Sequence, residues 1–261
     1  MKVLIIQQKM IGDVLTSSIL FEALRDQYPK AELHFVVNTH TYPVIENHPC
    51  IDKVHFFTPE IERSSLKLLT FARLLRKERY DAIIDVYSKL SSALITLISG
   101  AKIRVSKHKY YTSFVYTHTF KEKLSAKTNA GLAIENRLQL LEPLIGKRDP
   151  IKPKIYLTKE ELEAAKSLLL NNKIALERPI FMIGVLGSGL NKTYPFMEMA
   201  KFIDSIVEEI PHAQILFNYI PKQKEEAQAI YDLCLPDSSR PIPRFHKGGM
   251  IFIKCTSFFV H

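Results

Sequence analysis

Apolar and polar positions along the first half of this chain follow a rhythm of short strands and longer helices. Val3-Leu-Ile-Ile6 is an apolar run of strand length, closed by the polar Gln7-Gln8-Lys9. From 14 to 27 the period changes: Leu15, Ile19 and Ala23 share a helical face, with Leu20 and Leu24 beside it, until Tyr28-Pro29 ends the pattern. Residues 31–37 alternate Leu33, Phe35 and Val37 as a strand does, and 53–57 form a short third strand. Helical spacing returns over 64–79 through Leu68, Ala72 and Leu75. An apolar strand at 80–86, a helix at 90–99 and a short strand at 102–105 follow. This order predicts an α/β fold, a mostly parallel sheet with helices on both faces.

The rhythm breaks between 101 and 128. Seven cations (Lys102, Arg104, Lys107, Lys109, Lys121, Lys123, Lys127) stand there against one acid, Glu122, with Tyr110, Tyr111, Phe114, Tyr116 and Phe120 interleaved. A helix is expected over 130–144. Pro150 and Pro153 then mark an extended linker, which places a domain boundary at 152/153. A second α/β unit follows: helix 159–171, strand 179–186, a Gly187-Ser-Gly189 turn, helix 196–209 behind Pro195, strand 214–217 and helix 222–234. From 236 to 249 no periodicity is visible, and 250–260 is apolar without amphipathic order. The reading is therefore a first α/β domain over 1–152, a partial second domain over 153–235 and an atypical tail over 236–261. Frameshift or truncation is the expected origin of that tail.

Composition narrows the chemistry. A net charge of +9 points to an anionic partner, whether phosphorylated substrate, membrane surface or nucleic acid. Three cysteines without CxxC spacing speak against disulfides and a structural zinc site, and favour a reducing cytoplasm. The nine histidines form no HExxH pattern and read as surface or packing residues. No paired carboxylates suggest a divalent metal: Asp81 and Asp85 bracket a strand and read as solvated strand ends. The N-terminal apolar run is too short for a signal peptide, and no run approaches the roughly 20 residues that span a bilayer.

Two loops carry candidate chemistry. Asp13 falls where the first helix begins, just past the first strand, and Gly12 beside it lets a ligand approach the backbone. Asp13 is either a helix-capping carboxylate or a general base able to take a proton from a substrate hydroxyl. The Gly187-Ser188-Gly189 turn is either a plain strand–helix connection or a phosphate cradle at a helix N-terminus, with Lys192 positioned to neutralise a diphosphate. The basic aromatic segment, with Lys107 and Lys109, reads as a solvated loop, an anionic-lipid contact or an RNA surface. No RNA-binding motif supports the last.

Together these pieces resemble glycosyltransferase family 9, the heptosyltransferase-like enzymes of lipopolysaccharide core synthesis. The resemblance is carried by Ile11-Gly-Asp13-Val-Leu-Thr-Ser-Ser-Ile-Leu20, Leu24-Arg-Asp-Gln-Tyr-Pro-Lys-Ala-Glu-Leu33, Tyr80-Asp-Ala-Ile-Ile-Asp85, Gly100-Ala-Lys-Ile-Arg104, Glu135-Asn-Arg-Leu138 and Lys192-Thr-Tyr-Pro195. It implies a GT-B fold of two Rossmann-like domains, with the acceptor domain first and the donor domain second. It further implies inverting transfer from a nucleotide-sugar, without metal or cofactor, at the cytoplasmic face of the inner membrane. By resemblance Asp13 matches the base, and Gly187, Ser188, Gly189 and Lys192 match donor-phosphate contacts. The family's Asp-Ser-Gly-Pro-x-His-like segment has no match here, so a remnant that binds acceptor or membrane without turnover stands as the alternative. A nucleic-acid-binding α/β protein is the third reading.

Overall fold

A computed structural model describes residues 1–187 and 189–234, the side chain of Leu190 excepted, and the backbone of 251–254. The chain divides into two compact units, Met1–Leu157 and Thr158–His261. The boundary lies beyond Pro153 because the linker stays with the first unit: Ile151 packs against its core, and the Tyr156 hydroxyl donates to Glu22.

The first unit runs β1 (Lys2–Ile6), α1 (Ile11–Ser17), α2 (Ile19–Gln27), β2 (Glu32–Val37), β3 (Lys53–Phe56), α3 (Pro59–Arg63), α4 (Ser65–Lys77), β4 (Ala82–Asp85), α5 (Leu90–Ser99), β5 (Ile103–Lys107), β6 (His118–Phe120), α6 (Leu132–Leu138) and α7 (Glu142–Ile145). Its six strands are all parallel, in the order β3-β2-β1-β4-β5-β6. This is the order of a dinucleotide-binding Rossmann sheet, in which ligands sit outside the strand carboxyl ends where the order reverses. Here the reversal lies between β1 and β4. The apolar run of β1 buries both faces: Val3 and Ile5 enter a core with Leu33, Phe35 and Leu140, while Leu4 and Ile6 enter another with Val36, Leu75 and Ile83.

Several elements depart from the sequence expectation for local reasons. The helix expected over 14–27 starts at Ile11 and is interrupted at Ser18. Thr16, Ser17 and Ser18 hydroxyls donate back to the carbonyls of Gly12, Asp13 and Leu15, at 2.6, 2.7 and 2.9 Å, and such back-bonding bends helices. The helix expected over 130–144 breaks into α6, a 3-10 turn at Gln139–Leu141 and α7, because Pro143 lacks an N–H and crowds the preceding turn. The basic segment contains a sixth strand, β6, whose three residues are too few to register as alternation.

The second unit runs α8 (Lys159–Asn171), β7 (Ile180–Gly184), α9 (Phe196–Glu209), β8 (Gln214–Tyr219), α10 (Lys224–Leu233) and β9 (Ile251–Lys254). Its parallel sheet is ordered β7-β8-β9. β9 corrects the two-strand expectation: Leu216 to Tyr219 register with Ile251 to Lys254 inside the apolar stretch that looked patternless. The rest of the tail over 236–261 lies outside the described residues.

Candidate functional site

The loops after β1 and β4 meet at the point of strand reversal: the N–H groups of Val86 and Tyr87 both donate to the Ile6 carbonyl, at 3.0 Å. Asp13 is the third residue of α1. It caps nothing: Met10 holds the N-cap position, and no side chain bonds there. Instead Asp13 Oδ1 accepts from Arg137 Nη2 at 2.6 Å, while the Asp13 side chain stays 49% exposed against 8% for Arg137. Arg137 is held in turn by the Ser17 hydroxyl (3.0 Å) and the Ala133 carbonyl (2.9 Å). One carboxylate oxygen is thus fixed, and Oδ2 accepts no hydrogen bond among the described residues. That arrangement can orient a base toward a ligand. Gly12 sits one position earlier on the exposed start of the helix, and a Cβ there would meet open space.

Arg137 is the residue the sequence reading left without a role. It belongs to Glu135-Asn136-Arg137, three consecutive polar residues buried on α6. Glu135 Oε1 accepts from the Lys127 and Thr128 N–H groups (2.8 and 2.7 Å) and from the Thr128 hydroxyl (2.9 Å). Asn136 Oδ1 accepts from the Lys123 N–H at 2.8 Å. α6 therefore ties the basic loop to one side of itself and Asp13 to the other. The signal was the run of polar residues inside an otherwise apolar helical stretch, since buried polar groups persist only where partnered.

Asp85 overturns its expected solvation. It is fully buried at the end of β4, between two strands, and Tyr116 Oη (2.6 Å) and the Ser88 N–H (2.8 Å) donate to it. Burial pushes its carboxyl up to about 6, against the pull of those hydrogen bonds. Asp81 remains exposed, its Oδ2 accepting from the Lys2 N–H at 2.7 Å. Ser88 adopts a left-handed backbone, φ 54°, which its bond to Asp85 holds in place. Gln8 Nε2 and Ser88 Oγ, on the loops after β1 and β4, are buried with no hydrogen-bond partner among the described residues. Each is a buried polar group that a bound water or ligand would satisfy.

The basic segment splits in two. Lys109 Nζ reaches the β4 loop, donating to the Ser88 carbonyl at 2.5 Å, and Lys107 pairs with Glu122 at 2.7 Å. Tyr110, Phe114 and Leu124 stand out from the surface, at 89, 80 and 96% exposure.

In the second unit the loop after β7 carries the other candidates. The Gly187 N–H donates to Thr193 Oγ1 (3.0 Å), and the Gly187 carbonyl accepts from Gln223 Nε2 (2.8 Å). A Cβ on Gly187 would overlap the Lys192 carbonyl, so this position admits only glycine without rearrangement. The Gly189 carbonyl accepts from the Thr193 hydroxyl and the Lys192 N–H. The Lys192 side chain is exposed, without an ion pair among the described residues, and Ser188 lies outside them.

The model of glycosyltransferase family 9 (heptosyltransferase) matches residues 68–237. Lipopolysaccharide heptosyltransferase 1 of Campylobacter coli is 25% identical over 242 residues, covering 89% of this chain and 69% of that protein. Among solved structures, a family 9 glycosyl transferase from Veillonella parvula superposes with a TM-score of 0.74 at 14% identity, covering 88% of this chain and 66% of its own. The E. coli heptosyltransferase WaaC with ADP gives 0.65 at 17% identity, covering 89% and 72%. The chain thus spans about two thirds of the length of these proteins.

Proposed function

Because this chain belongs to glycosyltransferase family 9, we propose that it transfers a sugar from a nucleotide-sugar to an anionic glycolipid of the lipopolysaccharide-core type. Asp13 is the general base. Its half-exposed carboxylate, fixed through one oxygen by Arg137 at the carboxyl ends of the sheet, is the observation that carries this reading. Asp13 takes the proton of the acceptor hydroxyl as that oxygen attacks the anomeric carbon, and the nucleoside diphosphate leaves from the opposite side with inversion. The proton needs no metal to receive it, and the exposed Lys192 on the β7 loop supplies a cation that would offset the charge of a departing diphosphate. Gly187 and Gly189, lacking a Cβ, would let that diphosphate approach the loop backbone.

The family relationship makes ADP-heptose the first donor to test, since the WaaC structure carries ADP. The basic segment suits the acceptor. Lys109 reaches the β4 loop and Lys107 stands at the end of β5, and the exposed Tyr110, Phe114 and Leu124 among lysines suit an anionic membrane surface, which supports a peripheral position at the cytoplasmic face of the inner membrane. Among the described residues no helix is long and apolar enough to cross a membrane.

The test is transfer from ADP-heptose to a heptose-deficient lipopolysaccharide acceptor by wild type and Asp13→Asn. Asparagine retains an acceptor for Arg137 and removes the base. Transfer that Asp13→Asn leaves intact overturns the assignment. Acceptor binding without turnover by wild type favours the binding remnant instead.

A further inference from the structure

Three side chains converge on one face of the sheet, His34 from within β2, His55 from within β3 and Tyr80 from just before β4. His34 Nδ1, His55 Nε2 and Tyr80 Oη form a closed triangle with sides of 3.1, 2.8 and 3.0 Å, and all three residues are buried. The register explains the meeting: Val36 lies opposite His55, so His34 and His55 fall on the same face of neighbouring strands. Glu78, at the end of α4, brings a carboxylate oxygen to the cluster, and the ligand atoms of His34, His55 and Glu78 lie within 4.8 Å of one another.

The protons do not suffice for this triangle. His34 Nε2 lies 2.8 Å from Glu32 Oε1, an acceptor, so the His34 proton sits there and Nδ1 offers a lone pair. Tyr80 brings one proton to the triangle, and a neutral His55 brings at most one. With His55 protonated on Nδ1, Tyr80 supplies the only proton, and the two ring nitrogens face each other lone pair to lone pair at 3.1 Å. Neutral imidazoles with converging lone pairs, one of them oriented by an outer carboxylate, are what a divalent transition metal requires.

We infer that His34 Nδ1, His55 Nε2 and the Glu78 carboxylate form a site for a zinc-class divalent ion, with Glu32 orienting His34 from outside. The donor set of two imidazoles and one carboxylate selects borderline ions such as Zn²⁺ and Co²⁺ over Mg²⁺ or Ca²⁺. The ion joins β2, β3 and the α4–β4 connection, and stabilises this edge of the sheet. Its groups share no hydrogen bond or ion pair with Asp13 or Arg137, which separates it from the proton transfer assigned to Asp13. Binding has a competitor: Glu78 Oε1 and Oε2 pair with Lys53 (2.6 Å) and Lys2 (2.5 Å), so the metal displaces one ammonium group. Lys53 is the more exposed of the two and the easier to release.

The experiment strips the full chain with chelator and titrates it with Co²⁺ and Zn²⁺, reading the cobalt d–d absorption, bound equivalents and the thermal midpoint. One equivalent per chain, a tetrahedral or five-coordinate cobalt spectrum and a raised midpoint are expected. Glu32→Gln should weaken affinity about ten- to a hundredfold. Glu78→Gln and His55→Gln should abolish the spectrum, and Lys53→Ala should tighten binding by freeing a carboxylate oxygen. If His55→Gln fails to fold, the more exposed Glu78→Gln and Lys53→Ala, which act in opposite directions, decide. No stoichiometric binding by wild type, or binding unchanged in both Glu78→Gln and His55→Gln, overturns the site.

Discussion

Arg137 Nη2 holds Asp13 Oδ1 at 2.6 Å across 124 residues of sequence. The bond joins a buried guanidinium on α6 to a half-exposed carboxylate on α1, and it leaves one carboxylate oxygen for a ligand. Asp13→Asn should therefore fold with little loss of stability and lose transfer by about 10²–10⁴-fold, the range of a positioned base. A transfer assay beside a melting curve separates the two effects.

Arg137→Ala should behave differently. It frees the Asp13 carboxylate to rotate and leaves the Ser17 hydroxyl and the Ala133 carbonyl without a buried donor. Destabilisation of about 1–3 kcal/mol is expected by denaturant titration, together with reduced transfer. Arg137→Lys keeps the charge but not the fork that reaches Asp13, Ser17 and Ala133 at once, so it should recover only part of either loss.

The two glycines of the candidate sites should diverge. A Cβ at Gly12 meets open space on an exposed helix, so Gly12→Ala should keep or raise stability, by up to about 1 kcal/mol. A drop in transfer would then report ligand approach alone. At Gly187 a Cβ overlaps the Lys192 carbonyl, and Gly187→Ala should cost about 1–3 kcal/mol in the second unit while weakening nucleotide binding. Calorimetric titration with ADP checks the second outcome.

Asp85 sets a pH dependence of known sign. Burial raises its folded-state value from 3.8 to about 6, so between these values the folded chain holds a proton the unfolded chain has released. The stability this group contributes is present below about pH 4 and lost as pH rises through about 6. Asp85→Asn removes the titrating carboxyl and keeps an acceptor for the Ser88 N–H. The variant should gain on wild type by roughly 1–3 kcal/mol between acid and neutral pH. Melting curves of both proteins across that range decide, and a gap independent of pH would refute the assignment.

Tyr110 and Phe114 are exposed, so replacing both by serine should leave the melting curve within experimental scatter. Flotation with vesicles containing anionic phospholipid should fall several-fold in the double variant. Raised salt should weaken wild-type binding, as lysine–lipid attraction is screened.

The sequence by itself determined the elements and the address of the chemistry. Period-2 and period-3.6 patterns report which faces are buried, and they located β1, α4, α5, α8 and α9 because burial is written residue by residue. Asp13 was legible for the same reason: a carboxylate just past an apolar strand sits at a strand's carboxyl end. Tertiary structure alone decided which strands are neighbours. Only the sheet order places β1 beside β4, makes Asp85 a buried acid, and joins Asp13 to Arg137 and His34 to His55. Such contacts depend on sheet order and register, which local periodicity does not encode. A buried polar side chain reveals its partner only once the fold has brought the two together.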